Sequence, residues 1–400
     1  MLRINLPFVS KEALLEYDWS SVRLKRMKSW LEVSTAPRKF LIVRLSAIGD
    51  VIHVLPALRS LRENFPSAHI AWLVEDKAEG ILKKHPDLDE IIVFPKKRWI
   101  TGLKNPFTFL QTAAEIASFI TNLRKQGFEM AVDFQGNLKS GIMTLLSGSP
   151  LRIGFARGHC KEGNFLFTNY WVAPPSKRLH KIEKNLSLLE GLGLRTTREG
   201  VSLPFLKEDD EYVAAQLVRN AEYGMRNCKL RTANSAIRTQ PLVVIHAGTS
   251  DFGAYKRWPA ASYAQLADKV VEELNAYVVF TWESSELEMV KEIISVMRHP
   301  GHLAPKTETL GQLASLIRRA DLFISGDTGP MHIASALGVP QVAIFGPKDP
   351  IIYGPYQKNA VVVRKELDCS PCTKRTCNNP ICITSITPGE VFGAARALLR

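Results

Sequence analysis

FLIVRLSAIGDV, residues 40–51, is the stretch from which the fold is read. Its first six residues form a short apolar run broken only by Arg44, as expected of a strand buried on both faces. A tight turn containing Gly49 follows, and from about Val51 the pattern becomes that of a helix. A strand that hands over to a helix within a few residues opens a βαβ unit.

Working outward, the same alternation continues with HIAWLV (69–74), IIVF (91–94), a helix around 108–126 and EMAVDF (129–134). A helical stretch near 180–192 leads into a polar segment rich in Arg and Asn that ends near 240. A second series follows: LVVIHAG (242–248), a helix from about 259, AYVVF (276–280), helices from about 284 and near 308–319, DLFISG (321–326), a helix from about 329, and QVAIFG (341–346). The reading is α/β, with two doubly wound, Rossmann-like domains whose ligand lies between the carboxyl ends of both sheets. Residues 1–36 form an N-terminal extension, 37–192 a first domain, 193–240 a linker, 241–385 a second domain and 386–400 a final helix. In the extension Leu24, Met27 and Leu31 recur at helical spacing among Arg23, Lys25, Arg26 and Lys28, which fits a membrane-contacting helix, a helix covering the next domain, or a loose arm.

The formal charge of +13 over 400 residues favours anionic partners: nucleic acid, anionic lipid or phosphorylated substrates. No apolar run approaches the roughly 18–20 residues that span a bilayer, and the N-terminus lacks the pattern of a signal peptide, so a cytoplasmic location is expected.

Four places can carry chemistry. In the opening stretch Gly49 stands alone, without the glycine spacing of a dinucleotide site. Asp50 there is either an N-terminal helix residue facing the macrodipole or a general base in the cleft. Gly326, Asp327, Thr328 and Gly329 follow the strand DLFI and open the next helix, where backbone N–H groups and the helix dipole suit a diphosphate. His332 reads either as part of that site or as packed against the first domain. After LVVI come His246, Gly248 and Thr249, with Lys256 and Arg257 before Pro259, which is placed for a first helical turn. Lys256 is a point charge for a leaving phosphate or a solvated cation. In the first domain the basic loop Lys96, Lys97, Arg98 and the turn Asp133–Lys139, with Gln135 and Lys139, follow strand ends. The basic group holds a negatively charged acceptor or is a solvated loop, while Asp133 and Gln135 bind hydroxyls or fix a capped turn. Cys369, Cys372, Cys377 and Cys382 are spaced too tightly for common zinc sites, so structural zinc is not favoured over short disulfides or plain packing.

At these residues the chain resembles glycosyltransferase family 9, the ADP-heptose-dependent lipopolysaccharide heptosyltransferases. The resemblance covers about residues 39–400 and is carried by VRLSAIGDVIHVLPALRSL (43–61), VDFQGNLKSG (132–141), HAGT with KRWP (246–259), SGDTGPMHIASALGVPQVAIFGP (325–347) and CSPCTKRTCNNPICITSITPGEV (369–391). It implies a GT-B fold, with acceptor in the first domain, nucleotide sugar in the second, and a final helix packing back across the first. It also implies inversion without a metal, Asp50 as base and Lys256 at the departing diphosphate. Thr249, Gly326, Asp327, Thr328, Gly329 and His332 would line the donor site, Trp282 and Glu286 the adenosine region, and Lys97, Arg98, Gln135 and Lys139 the acceptor. DFQGNLKSG and the KKRW stretch look most like enzymes that add the first heptose to Kdo-lipid A, a lipid-linked acceptor at the inner face of the inner membrane. The loop from Thr249 to Lys256 is longer than the pattern. The rivals are a nucleotide-sugar epimerase, which has no use for an acceptor loop, and a non-enzymatic basic protein. Nucleic acid is not expected as a partner, because no recognition signature for it appears.

Overall fold

The computed structural model describes residues 38–198, 203–204, 206–222, 240–249, 251–374 and 376–399; the expectation for residues 1–36 lies outside them. Two six-stranded, wholly parallel sheets form. The first contains β1 (Lys39–Val43), β2 (His69–Glu75), β3 (Glu90–Phe94), β4 (Met130–Asp133), β5 (Leu151–Phe155) and β6 (Tyr170–Val172), in the order β3-β2-β1-β4-β5-β6. The second contains β7 (Leu242–His246), β8 (Tyr277–Thr281), β9 (His302–Leu303), β10 (Leu322–Gly326), β11 (Gln341–Phe345) and β12 (Ala360–Arg364), in the order β12-β11-β10-β7-β8-β9. Counted from its own first strand, each sheet has the same doubly wound order. The strand order therefore reverses between β1 and β4 and again between β7 and β10, and ligands bind in such sheets beyond the carboxyl ends at those reversals.

The central strands are apolar throughout because both faces are covered. Phe40, Leu41, Ile42 and Val43 of β1 and Leu242 to Ile245 of β7 are buried. Register is in parallel pairs, with Val43 opposite Asp133 across β1 and β4, and Ser325 opposite His246 across β10 and β7. The expected strands and most helices form. β6 and β9, at three and two residues, are too short to leave a pattern, and edge strand β12 is only half-buried. Among the described residues, no helix is long and apolar enough to cross a membrane.

Two expectations are corrected. The basic KKRW stretch is not a loop but the first turn of helix Lys96–Lys104. Trp99 sets its phase: the indole is buried edge-on against Phe94 and Phe119, each 5.1 Å away, and its Nε1 donates to Glu115 at 3.0 Å. The last helix, Pro388–Leu398, packs on the second lobe rather than across the first. Val391, Phe392 and Ala395 lie in one buried cluster with Val243, Tyr263 and Ile344, and that apolar face can be satisfied by only one sheet. Within the stretch read as a linker, helix Lys207–Glu222 lies against helix Leu310–Arg318, with Asp210 held by Arg319 at 2.6 Å and Arg318 at 2.8 Å.

The lobes meet where the two reversals face one another. Helix Ile48–Ile52, after β1, packs against helix Gly329–Ala336, after β10. A Cβ on Gly49 would sit 2.2 Å from Cδ2 of His332, so this approach requires glycine. His332 is buried and its Nδ1 is 3.1 Å from Nε2 of His53, which leaves the ring little freedom to retreat. Gly49→Ala is therefore expected to push the lobes apart, at a cost of about 1–3 kcal/mol from overpacking. Thermal unfolding should show a lowered Tm, and His332→Ala in the same chain should restore part of it. An unchanged Tm for the single variant would contradict the close packing.

Candidate active site

Asp50 lies in the third position of helix Ile48–Ile52, but its side chain does not cap that helix. Its Oδ2 is 2.5 Å from Nη2 of Arg44, and Oδ1 is 3.9 Å from Nδ1 of His53. Arg44 is itself fixed, because its Nη1 donates to the Phe134 carbonyl at 2.7 Å. The Asp50 side chain stays 34% exposed while Arg44 is buried, so the carboxylate faces the cleft with its cation behind it. Burial pushes the Asp50 pKa up, but the charges of Arg44 and Lys181, with the Arg44 hydrogen bond, outweigh it and hold the carboxyl below its ordinary range. The group is an ionised acceptor with one oxygen tied and the other available.

Two turns hold that loop in place. Gln135 Oε1 accepts the Leu45 N–H at 2.7 Å, so Gln135 positions the segment leading to Asp50. Asp133 is buried and accepts from the N–H groups of Gln135 and Gly136, from Ser140 Oγ and from Asn164 Nδ2. Of its two readings, the turn is the one observed, and burial leaves its pKa raised despite those bonds. Lys139 pairs with Glu75 at the end of β2, a carboxylate that Lys96 also approaches at 3.8 Å.

On the opposing lobe, Lys256 Nζ donates to both the carbonyl oxygen and Oδ2 of Asp327, each at 2.7 Å. The longer loop after Thr249 is taken up by a 3-10 turn, Asp251–Lys256, which delivers the ammonium to the glycine-rich turn after β10. Thr328 precedes helix Gly329–Ala336 without capping it through its side chain; Thr328 Oγ1 lies 3.4 Å from the Gly326 carbonyl. Cationic Lys256 and the helix N-terminus thus converge on one point, the arrangement that suits a diphosphate. Gly329 is within 3.6 Å of Ile48 by its would-be Cβ, which brings this turn beside the Asp50 helix.

Thr249 is buried under Arg257, which donates to its carbonyl at 2.9 Å. Glu286 lies against the same turn: a Cβ on Gly248 would fall 2.1 Å from its carboxylate. Trp282, immediately after β8, donates through Nε1 to the Ala304 carbonyl at 2.9 Å. Thr249 therefore stands beyond the end of β7, and Trp282 and Glu286 beyond the end of β8, on the side of β7 away from the Gly326–Gly329 turn. His332 lies in the helix that the glycine turn opens and packs against His53 of the first lobe. Burial holds its pKa near 4 against the pull of Asp327 and Asp50, so the ring is neutral at pH 7.

Lys97 and Arg98 stand just after β3, two strands along the sheet from β1. They line a cavity of about 670 Å³ between helices Lys96–Lys104 and Phe109–Lys125, together with Thr101, Asn105 and Gln111. Arg98 is ion-paired with Glu115 at 2.5 Å.

Several site residues carried no sequence reading. Lys181 and Lys184 open helix Lys181–Glu190, read only as a helical stretch, and with Arg44 and Lys161 they form a mutually repelling basic group near Asp50. Lys184 Nζ lies 4.3 Å from the Phe155 ring centroid and donates to the His159 carbonyl at 2.7 Å. Burial, then the charges of Lys181 and Arg44, bring its pKa down to about 8. A single Arg in an otherwise apolar strand was the available signal for Arg44. The four clustered cysteines are unpaired thiols, so neither short disulfide forms. Among the described residues no group of three or more His, Cys, Asp or Glu is arranged to hold a metal.

A family model described as glycosyltransferase family 9 (heptosyltransferase) matches residues 116–382. The lipopolysaccharide core heptosyltransferase OpsX of Haemophilus influenzae is 27% identical over 336 residues, which is 83% of this chain and 86% of that protein. A solved glycosyltransferase family 9 structure from Veillonella parvula superposes with a TM-score of 0.74 at 25% identity, covering 91% of this chain and 98% of that one. The E. coli heptosyltransferase WaaC, solved with ADP-2-deoxy-2-fluoro heptose, superposes with a TM-score of 0.66 at 22% identity, covering 90% and 99%, and shares the fold.

Proposed function

The chain belongs to glycosyltransferase family 9, the heptosyltransferases, and from that premise we propose that it transfers heptose from ADP-heptose, with inversion, onto the Kdo-lipid A end of the lipopolysaccharide core at the inner face of the inner membrane. The observation that carries this reading is the pairing of sites across the cleft. Asp50 stands at one reversal point with a free carboxylate oxygen, and the Lys256–Asp327 contact stands at the other, beside an uncapped helix N-terminus. In this scheme residues 37–192 hold the acceptor, 241–385 hold the nucleotide sugar, and 193–240 connect them. Thr249, Trp282 and Glu286 face the adenosine, while the turn from Gly326 to Gly329 and His332 face the diphosphate and sugar.

The acceptor hydroxyl attacks the anomeric carbon from the Asp50 side and loses its proton to Asp50 Oδ1. The bond from that carbon to the diphosphate oxygen breaks on the opposite side, which inverts the configuration. Negative charge gathers on the leaving ADP, where Lys256 and the N–H groups of the first turn of helix Gly329–Ala336 meet it. Gln135 acts through the loop it holds, and Lys139 through Glu75. Kdo carboxylates and lipid A phosphates are anions, and Arg44, Lys161, Lys181 and Lys184 supply a cationic wall beside the base.

Lys184 makes this testable by pH. A lysine with a lowered pKa is charged below that value and neutral above it, so attraction to an anionic acceptor is present below about 8 and lost as pH rises through it. KM for the acceptor should rise across that window while KM for the donor stays level, and Lys184→Arg should remove the rise. An acceptor KM that is flat across the window would exclude Lys184.

The reading as a whole is tested by incubating the purified chain with ADP-heptose and either Kdo-lipid A or an already heptosylated core. Transfer to Kdo-lipid A is expected. Transfer only to the heptosylated core would move the enzyme to a later step, and an epimer formed from donor alone would replace transfer with epimerisation.

A further inference from the structure

Helices Lys96–Lys104 and Phe109–Lys125 form a hairpin whose tip carries Leu103, Phe107, Phe109 and Leu110 outward. Phe107 is 96% exposed and Leu110 80%, and among the described residues nothing covers them. A soluble surface rarely gathers large apolar side chains in this way without a partner. The tip is also rigidly held. Thr108 Oγ1 donates to the Gly102 carbonyl at 2.9 Å, a Cβ on Gly102 would fall 2.2 Å from Thr112 Oγ1, and Trp99 anchors the base. Such a tip is built to present its side chains.

Charge identifies the partner. Lys104 stands at the tip and Lys97 on the same helix, with no acid in residues 96–114; Glu115 is neutralised by Arg98, Lys96 approaches Glu75, and Arg124 and Lys125 lie roughly 20 Å from the tip at the far end of the second helix. Apolar side chains framed by basic ones bind the boundary between anionic headgroups and acyl chains. The adjoining helix Leu138–Leu146 adds exposed Leu138, Ile142 and Leu145, spaced to share one face. A second protein would need acidic complementarity, and a second copy of this chain would bring like charge to like.

We propose that the hairpin tip is a membrane-docking element that inserts Phe107, Phe109 and Leu110 into an anionic leaflet, with Lys104 and the neighbouring basic residues on the headgroups. Its role in delivering a lipid-linked acceptor to the cavity behind Lys97 and Arg98 rests on the function proposed above; the docking itself does not.

The test is sedimentation of the full chain with vesicles of phosphatidylcholine alone, or mixed in equal parts with phosphatidylglycerol, without nucleotide sugar. Binding is expected only to the mixed vesicles, weakened by salt. The double variant Phe107→Asp, Leu110→Asp should bind about a hundredfold more weakly, since each buried side chain is worth about tenfold or more. Its transfer to a delipidated, water-soluble acceptor should equal that of the unaltered chain, which reports intact folding, while transfer to vesicle-embedded acceptor falls. Equal vesicle binding by the unaltered and variant chains overturns the proposal. So does a concentration-dependent dimer that the variant dissociates while neither chain binds vesicles. Vesicle binding through the tip with no transfer to any acceptor would instead remove the functional reading and leave the docking surface standing.

Discussion

Asp50→Asn should lower kcat by about 10²–10⁴-fold, the range commonly lost with a positioned general base, and leave donor affinity nearly intact. Asparagine keeps the volume and an oxygen to accept from Arg44 in the contact now at 2.5 Å, so the loop stays in place while the basic oxygen is lost. Donor binding by calorimetry, with single-turnover transfer, separates the two quantities. The pH profile adds an independent readout. Because Arg44 and Lys181 outweigh burial and hold the carboxyl below its ordinary range, Asp50 is deprotonated at and above that range. Its acid limb in kcat/KM therefore lies below the usual carboxylate pKa, and activity should survive mild acidity. Near-normal turnover by Asp50→Asn would remove Asp50 from the mechanism.

Lys256→Ala is expected to reduce kcat by about 10²–10³-fold, comparable to losing one preorganised stabiliser of transition-state charge. The substitution also deprives the Asp327 carboxylate of its cation, 2.7 Å away, so the glycine turn is disturbed as well. For that reason kcat and donor KM must be read separately. Loss confined to KM would mean that Lys256 binds donor and transition state equally, and its leaving-group role would be withdrawn. Lys256→Arg should recover little, because a planar guanidinium cannot place a compact charge where Lys256 Nζ now meets both Asp327 oxygens.

Legibility in the sequence varied with the range of the interaction responsible. Strands such as FLIVRL and LVVIH were readable because burial on both faces leaves an unbroken apolar run. The glycine turn after DLFISG was readable for a similar reason: the strand, the turn residues and the helix start are all local. The basic stretch before Trp99 was misread as a loop, because its helical phase comes from Phe94 and Phe119, the latter 20 residues further on. The last helix went to the wrong lobe in the expectation, since its apolar face fits either sheet in the abstract and only the shape of the second core selects it.

What the sequence by itself determined is the pair of doubly wound halves and the position of Asp50, Thr249 and Asp327 in the strand-to-helix segments, because period and turn chemistry are written in neighbouring residues. What only the tertiary structure decided is which of those residues meet. Lys256 reaches Asp327 across 71 positions, Gln135 clamps the Asp50 loop across 90, and His332 rests on Gly49 and His53 of the other lobe. Such contacts depend on how far apart two lobes close and on where a buried charge finds its partner. Packing and electrostatics settle those matters in three dimensions, and no short stretch of the chain encodes them.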